Sequence, residues 1–297
     1  AAIHDRAKLK TTPRGYPLLP HKKYEDFSLL LDRVAAHANR RYFVLKSIIL
    51  NNLYGVDIMK EATEICKLRL FLKLAAQVEP DAAKENLGIE PLPDIDFNIR
   101  AGNTLVGFAT EKQAEDVIRQ DLLAYNTVWP EVQRDAKEVA ELFGLFRQQQ
   151  TELGGAVSAD DKAHLRAKLT PLEDRLNTYL ADTYGVSKKS AVKGWVHSHK
   201  PFHWFIEFYA IMAKGGFCGV MGNPPYYDLK QGLEYQLKNY ATLSTKNLYP
   251  VVMERALPLC RQNGRLGLIV PISSISTEGY SELQTILLRY PGHFSSY

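Results

Sequence analysis

Apolar residues recur at three- and four-residue spacing over long stretches of the chain and gather into short blocks between them, the pattern of helices alternating with buried strands. After a basic opening (Lys8, Lys10, Arg14, Lys22, Lys23), Phe27, Leu30, Leu31, Val34 and Ala35 define one helical face. Tyr42, Leu45, Ile48 and Ile49 define a second, broken at Asn51-Asn52. Leu53 to Ile58 reads as a short strand ending in an acid, and Glu61 to Val78 as an amphipathic helix with Ile65, Leu68, Phe71, Leu72 and Ala75 on one side. Pro80 ends that helix. Pro91 and Pro93 approach a second short strand at Ile95 to Ile99, which runs into Ala101-Gly102-Asn103-Thr104-Leu105.

From Glu111 to Tyr184 the chain turns charged, Gln-rich and helical, with breaks predicted near Trp129-Pro130 and at Gly154-Gly155. Val132, Val139, Leu142, Leu145 and Phe146 make an outgoing face and Leu165, Leu169, Leu172, Leu176 and Leu180 a return face, which predicts an inserted helical hairpin. Gly216 to Met221 is a third strand candidate. A helix from about Leu248 to Arg261, closed by Asn263-Gly264, leads to an apolar run from Arg265 to Pro271 of the kind buried in a parallel sheet. Phe294 to Tyr297 has the look of another strand beginning. Strands alternating with helices predict a doubly wound α/β core in two parts, 1–108 and 201–297, separated by a helical insertion at 109–200.

Composition narrows the class. The 297 residues are 45% hydrophobic and 24% charged, which argues against disorder and collagen, and no apolar run approaches the roughly 20 residues of a membrane span. The first residues show no initiator Met, basic n-region or apolar h-region. Cys66, Cys218 and Cys260 are too scattered for a disulfide framework or a zinc pair, so a reducing cytoplasm is expected. A net charge of +4 permits a nucleic-acid partner without requiring one.

Asn223-Pro224-Pro225-Tyr226 directly follows the third strand, at the carboxyl edge where open α/β sheets place their ligands. The stretch resembles the N-P-P-Y motif of class I amino methyltransferases that act on adenine in DNA. An exocyclic adenine amine is a poor nucleophile because its lone pair is delocalised into the ring. The resemblance implies that the Asn223 side-chain oxygen and the Pro224 carbonyl each accept one N–H, localising that pair and discharging the developing positive charge. Pro224 and Pro225 stiffen the loop, and the Tyr226 ring stacks on a base extruded from the duplex. The same four residues also make sense as a rigid Asn-capped turn with a core tyrosine.

Asp57, closing the first strand, fits a ribose-binding acid, here for S-adenosylmethionine, although a helix N-cap would use the same residue type. Ile58 is placed against the cofactor's adenine face and Asn103 at its N6. The blocks 53–58, 98–105, 222–226 and 267–271 occur in the order seen in gamma-type adenine methyltransferases. Over residues 40 to 275 the chain resembles the subgroup found in type IIG restriction-modification enzymes and BREX phage-defence systems. That resemblance implies a Rossmann-like methyltransferase sheet, adenine-N6 methylation of double-stranded DNA with a flipped adenine, and further target-recognition or nuclease domains in the same polypeptide.

One departure is large: the family's F-x-G-x-G loop, which belongs upstream of the Asp57 strand, has no counterpart here. It predicts a chain that starts after that loop, with weak or no cofactor binding by these residues alone. Lys188, Lys189, Lys193 and Lys200, interleaved with Trp195, Phe202 and Trp204 and free of acids between Asp182 and Glu207, fit either a phosphate-following patch or a solvated linker over packed aromatics. His197, His199 and His203 lack companions at metal-ligand spacing. The rival to an enzyme is a non-catalytic DNA-binding or assembly module on the same fold; RNA or protein-glutamine methylation shares N-P-P-Y but not the restriction-type cofactor blocks.

Overall fold

A computed structural model describes residues 25–152, 159–293 and 295. The basic opening through Lys23, the Gly154-Gly155 break, and Phe294, Ser296 and Tyr297 of the last expected strand lie outside the described residues. The chain divides into two compact units, Ala1–Leu53 with Leu68–Pro93, and Tyr54–Lys67 with Asp94–Tyr297.

In the first unit, α1 (Glu25–Ala36) is followed by α2 (Arg40–Asn52), which buries Tyr42, Phe43, Ile49 and Leu50. Lys46 is also buried, and a buried ammonium needs a partner. Glu90 supplies it at 2.9 Å and takes His37 at 2.6 Å on its other oxygen. The Tyr42 hydroxyl donates to the Pro91 carbonyl at 3.0 Å.

The second unit holds the strands. β1 (Gly55–Asp57) pairs in parallel with β2 (Ile99–Ala101), Gly55 opposite Ile99 and Asp57 opposite Ala101. β2 begins later than the apolar pattern predicts, because Ile95 to Asn98 is a turn. The Asp94 carboxylate accepts the Asp96 N–H at 2.9 Å, and the Ile95 carbonyl accepts from Asn98 and Ile99 at 3.0 Å each. Lys67, Lys162 and Arg166 converge on Asp96. Burial alone would raise that carboxyl, but the hydrogen bonds from Lys162 and Lys67 outweigh it and hold it at about 2.

α3 (Lys60–Ala75) links β1 to the first unit in sequence. Of its expected buried row, Ile65, Leu68 and Leu72 are exposed at 58%, 57% and 60% and Phe71 is half-buried. Periodicity identifies an apolar face but not what covers it.

The insertion is helical as predicted, with α4 (Glu111–Ile118), α5 (Leu122–Glu152), α6 (Ala159–Thr183) and α7 (Lys189–His199). The predicted break at Trp129-Pro130 does not occur, since Pro130 lies inside α5. A proline there costs about 3 kcal/mol, offset by the burial of Trp129 and Val132 on either side. The chain breaks instead at Arg119–Asp121, where the Asp121 carboxylate accepts from Leu123 and Ala124. Leu165, Leu169, Leu172, Leu176 and Leu180 all face the core, whereas Leu145, expected inside, is 62% exposed.

β3 (Phe217–Gly222) pairs in parallel with β4 (Cys260–Leu268). The preceding helix, α8 (Leu248–Ala256), ends earlier than Arg261 because Pro258 has no N–H to continue it. Asn263-Gly264 is therefore a bulge rather than a helix cap. Between the Phe217–Cys260 and Gly219–Arg265 pairs, β3 advances two residues and β4 five. Asn263 takes a φ of 63°, and a Cβ on Gly264 would sit 2.9 Å from the Phe217 carbonyl oxygen. A last helix, α9 (Ser281–Leu287), buries Leu283. The described strands thus form two small parallel sheets in a mixed α/β unit. No helix among the described residues is long and apolar enough to cross a membrane.

Arg100 on β2 joins two carboxylates: Glu207 at 2.8 Å and Glu173 of α6 at 3.4 Å. Burial, the neighbouring Glu207 charge and a hydrogen bond between the carboxyls hold Glu173 far above the usual carboxylate range, against the pull of Arg100. The folded chain keeps a proton that the unfolded chain releases near about pH 4.3, so this group's contribution to stability declines as pH rises from there. Glu173→Gln removes that decline. Thermal unfolding of both proteins from about pH 5 to about pH 8 should show the variant gaining on the wild type as pH rises. A difference that stays constant would mean that Glu173 is ionised in the folded chain.

Candidate active site

β3 ends at Gly222, and Asn223-Pro224-Pro225-Tyr226 is its immediate continuation. The loop is fastened to the end of β4: Ile269 N–H donates to the Gly222 carbonyl at 3.2 Å, and the Tyr226 hydroxyl lies 3.0 Å from the Ile269 carbonyl oxygen. Pro224 is buried, while Asn223 and Pro225 are exposed and Tyr226 is 53% exposed. The Tyr226 and Tyr249 rings meet in a T-shaped pair with centroids 5.9 Å apart. Its hydroxyl is also 3.3 Å from Asn223 Oδ1. Neither proline can donate a backbone hydrogen bond, so burial of Pro224 and the Tyr226 anchor set the position of Asn223.

The other predicted residues meet at the carboxyl edge of β1 and β2. The Gly102 N–H donates to the Asp57 carbonyl at 2.8 Å, continuing the ladder one step past the strands. The exposed Asp57 carboxylate accepts the Met59 N–H at 2.8 Å through one oxygen only. Ile58 is half-buried and Asn103 is buried at 2% exposure. Asn103 Oδ1 accepts the Leu105 N–H at 3.0 Å, and its Nδ2 is buried without a well-formed hydrogen bond. Burial raises the Tyr235 phenol, and its interaction with the Asn103 amide acts in the opposite direction.

A neighbouring parallel segment fixes this edge. Asn103 N–H donates to the Lys200 carbonyl at 2.7 Å and Phe202 N–H to the Val106 carbonyl at 2.7 Å. Gly107, at a φ of 132°, is required here because a Cβ would lie 2.1 Å from the Phe202 carbonyl oxygen. His203 Nδ1 accepts the Phe108 N–H at 3.2 Å and its Nε2 pairs with Asn177 at 3.0 Å. Burial, reinforced by the Arg255 charge, pushes the His203 imidazole down to about 3, so it is a neutral structural bridge.

Arg255 was not anticipated. It donates to the carbonyls of Leu105 and Gly107 at 3.1 Å each and to the Tyr240 hydroxyl at 2.6 Å, and that hydroxyl donates to Leu105 at 2.7 Å. The signal was present: Arg255 lies in phase with Leu248 and Val251 on the buried side of α8. An arginine there must find internal acceptors. The cavity of about 370 Å³ beside this network is lined by Leu105, Tyr184, Lys238, Tyr240 and Arg255 among others, and by none of the residues predicted for the site. The structure thus brings Asp57, Ile58 and Asn103 to one edge and Asn223 to Tyr226 to another. Tyr235 and Tyr240, downstream of the second group, reach back to the first.

A family model described as "Eco57I restriction-modification methylase" matches residues 51–290. The chain is 30% identical over 284 residues to a protein of Methanocaldococcus jannaschii named "Putative type II restriction enzyme and methyltransferase". The match covers 80% of this chain, which spans 23% of that protein's length. No solved structure matches.

Removing the guanidinium should strand the two carbonyls and the hydroxyl it serves. Arg255→Leu is expected to destabilise the fold by about 3 kcal/mol and Tyr240→Phe by about 1 kcal/mol. Because both act on the Leu105 carbonyl, the double variant should differ from their sum. Urea unfolding tests this, and strict additivity would show the two side chains to be independent.

Proposed function

The chain belongs to the Eco57I restriction-modification methylase family, and from that premise we propose that it carries the catalytic loop and part of the cofactor site of a DNA methyltransferase acting on adenine N6. The observation that carries this is the Asn223–Tyr226 loop: an exposed amide and a half-exposed aromatic ring, pinned directly after a strand by a buried proline. Asn223 Oδ1 and the Pro224 carbonyl accept the two N–H groups of the target amine. The Tyr226 ring stacks on the extruded base. The hydroxyl of Tyr226 holds Asn223 in place between turnovers.

The Asp57 edge suits the nucleoside half of S-adenosylmethionine. Its exposed carboxylate has an oxygen to spare for ribose hydroxyls, Ile58 offers an apolar contact, and Asn103 brings a buried Nδ2 without a well-formed hydrogen bond and an oxygen with a second lone pair for the adenine amine. Bound there, the cofactor supplies the electrophilic methyl group. The protein's part is to orient the amine and to stabilise, through the acceptors on its N–H groups, the positive charge that develops on its nitrogen.

Two observations support joining the parallel pairs into one doubly wound sheet. Both pairs carry their candidate residues directly beyond the carboxyl ends of strands, and the residues at the starts of β1 and β3, Tyr54 and Phe217, touch with ring centroids 5.9 Å apart. In this reading 1–108 and 201–297 form the core and 109–200 is the inserted hairpin. The relative's name joins a restriction enzyme to a methyltransferase, which supports target-recognition and nuclease domains as partners in one polypeptide. Double-stranded DNA is the substrate, the role is restriction-modification or phage defence, and the compartment is the cytoplasm.

In a methylation-competent polypeptide carrying this chain, Asn223→Ala should lower methyl transfer by several orders of magnitude while cofactor affinity stays near normal. Tyr226→Ala should weaken binding of the target base by roughly 1 to 3 kcal/mol, with Tyr226→Phe much milder. Tritium transfer to duplex DNA reads the first and 2-aminopurine fluorescence the second. Undiminished methylation by Asn223→Ala would overturn the catalytic assignment of this loop.

A further inference from the structure

α7 has two unlike faces. Val192, Trp195 and His199 recur at three- and four-residue spacing on its inner side, with Val192 and Trp195 buried. His199 stacks on Trp195 at 4.8 Å and meets Tyr184 edge-on at 5.4 Å. On the outer side Lys189, Lys193 and His197 follow one another every four residues, all exposed, beside a row of small residues, Ser190, Gly194 and Ser198. A Cβ on Gly194 would meet nothing within 4 Å. Lys188 and Lys200 flank the helix, also exposed.

None of these four lysines has an ion-pair partner among the described residues, although acids elsewhere on the same unit pair with Lys67, Lys112, Lys162 and Lys168. The sequence from 183 to 206 contains no acid. The one just before it, Asp182, is taken by the Ser187 hydroxyl at 2.5 Å. Sustained positive charge over a floor of small side chains complements a row of phosphates, which needs cations at its flanks and room for close approach between them.

The helix is also fastened to both halves of the candidate site. At its end the Lys200 carbonyl accepts the Asn103 N–H at 2.7 Å, and His199 Nε2 accepts the Gln236 N–H at 3.1 Å, in the segment that follows the Asn223–Tyr226 loop. We infer that the outer face of α7 is a contact surface for the phosphate backbone of duplex DNA, with Lys189 and Lys193 as its central contacts. This rests on the methyltransferase reading for its choice of duplex DNA. It adds a place where the duplex is held while a base is drawn out.

The test uses the whole 297-residue chain and a fluorescein-labelled duplex of about two helical turns, with binding measured by anisotropy across a range of sodium chloride. Each phosphate contact contributes about 0.9 to the slope of log affinity against log salt. Lys189→Gln with Lys193→Gln should make the slope shallower by about 1.8. Lys112→Gln with Lys137→Gln, which removes the same charge from exposed positions on α4 and α5, should leave it unchanged. Equal effects of the two pairs, no effect of either, no binding by the wild-type chain, or equally tight binding of poly-glutamate would each overturn the assignment. In a methylation-competent polypeptide carrying this chain, undiminished transfer by Asn223→Ala with the slope difference intact would sink the methylation reading and leave the helix standing. Loss of transfer in Asn223→Ala, with no slope difference, would do the reverse.

Discussion

Much of the second unit is tied together by one close approach, where residues 102–108 run alongside residues 200–203. Backbone hydrogen bonds run both ways across it, from Asn103 to Lys200 and from Phe202 to Val106. At Gly107 the two chains come so near that no side chain fits. Backbone polar groups buried this deeply must all be paired, and here they use His203 at the end of the second segment together with Tyr240 and Arg255 from two other parts of the chain. The loop after β2, the end of the helical insertion and α8 are thereby held to one another.

Much of the fold could be read from periodicity, and each failure has its own physical cause. The return face of α6 was legible because five leucines at helical spacing leave no other arrangement. β3 was legible from its apolar block and the rigid turn after it. Pro130 misled because its local penalty is outweighed by the buried Trp129 beside it, a tertiary effect that a window of sequence does not contain. Asn263-Gly264 misled for a different reason: a residue pair that favours a left-handed backbone serves a helix end and a strand bulge equally well.

The candidate residues divide along the same line. The placement of Asn223 to Tyr226 and of Asp57 at strand ends was legible, since it rests on an apolar block and the residues directly after it, which is local information. The buried state of Asn103 was not, because it is imposed by pairing with a segment nearly a hundred residues downstream in sequence. Nor was Arg255, whose importance lies in what it serves rather than in any ligand it might touch. An apolar helix carrying one in-phase arginine is a recognisable sign, and it points to buried backbone carbonyls that need a donor.

The hydroxyl of Tyr226 has a single proton and two acceptors within reach, the Ile269 carbonyl at 3.0 Å and Asn223 Oδ1 at 3.3 Å. Whichever it favours at a given instant, the other is left to water, and the shorter distance goes to the carbonyl. The amide oxygen is therefore held in place without being saturated. A newcomer bearing an N–H replaces a shared, solvent-exposed bond of about 1 kcal/mol with one of its own, and the proton it displaces already has Ile269 to go to. Exchange at Asn223 is close to even in energy, so the loop need not reorganise for it to occur.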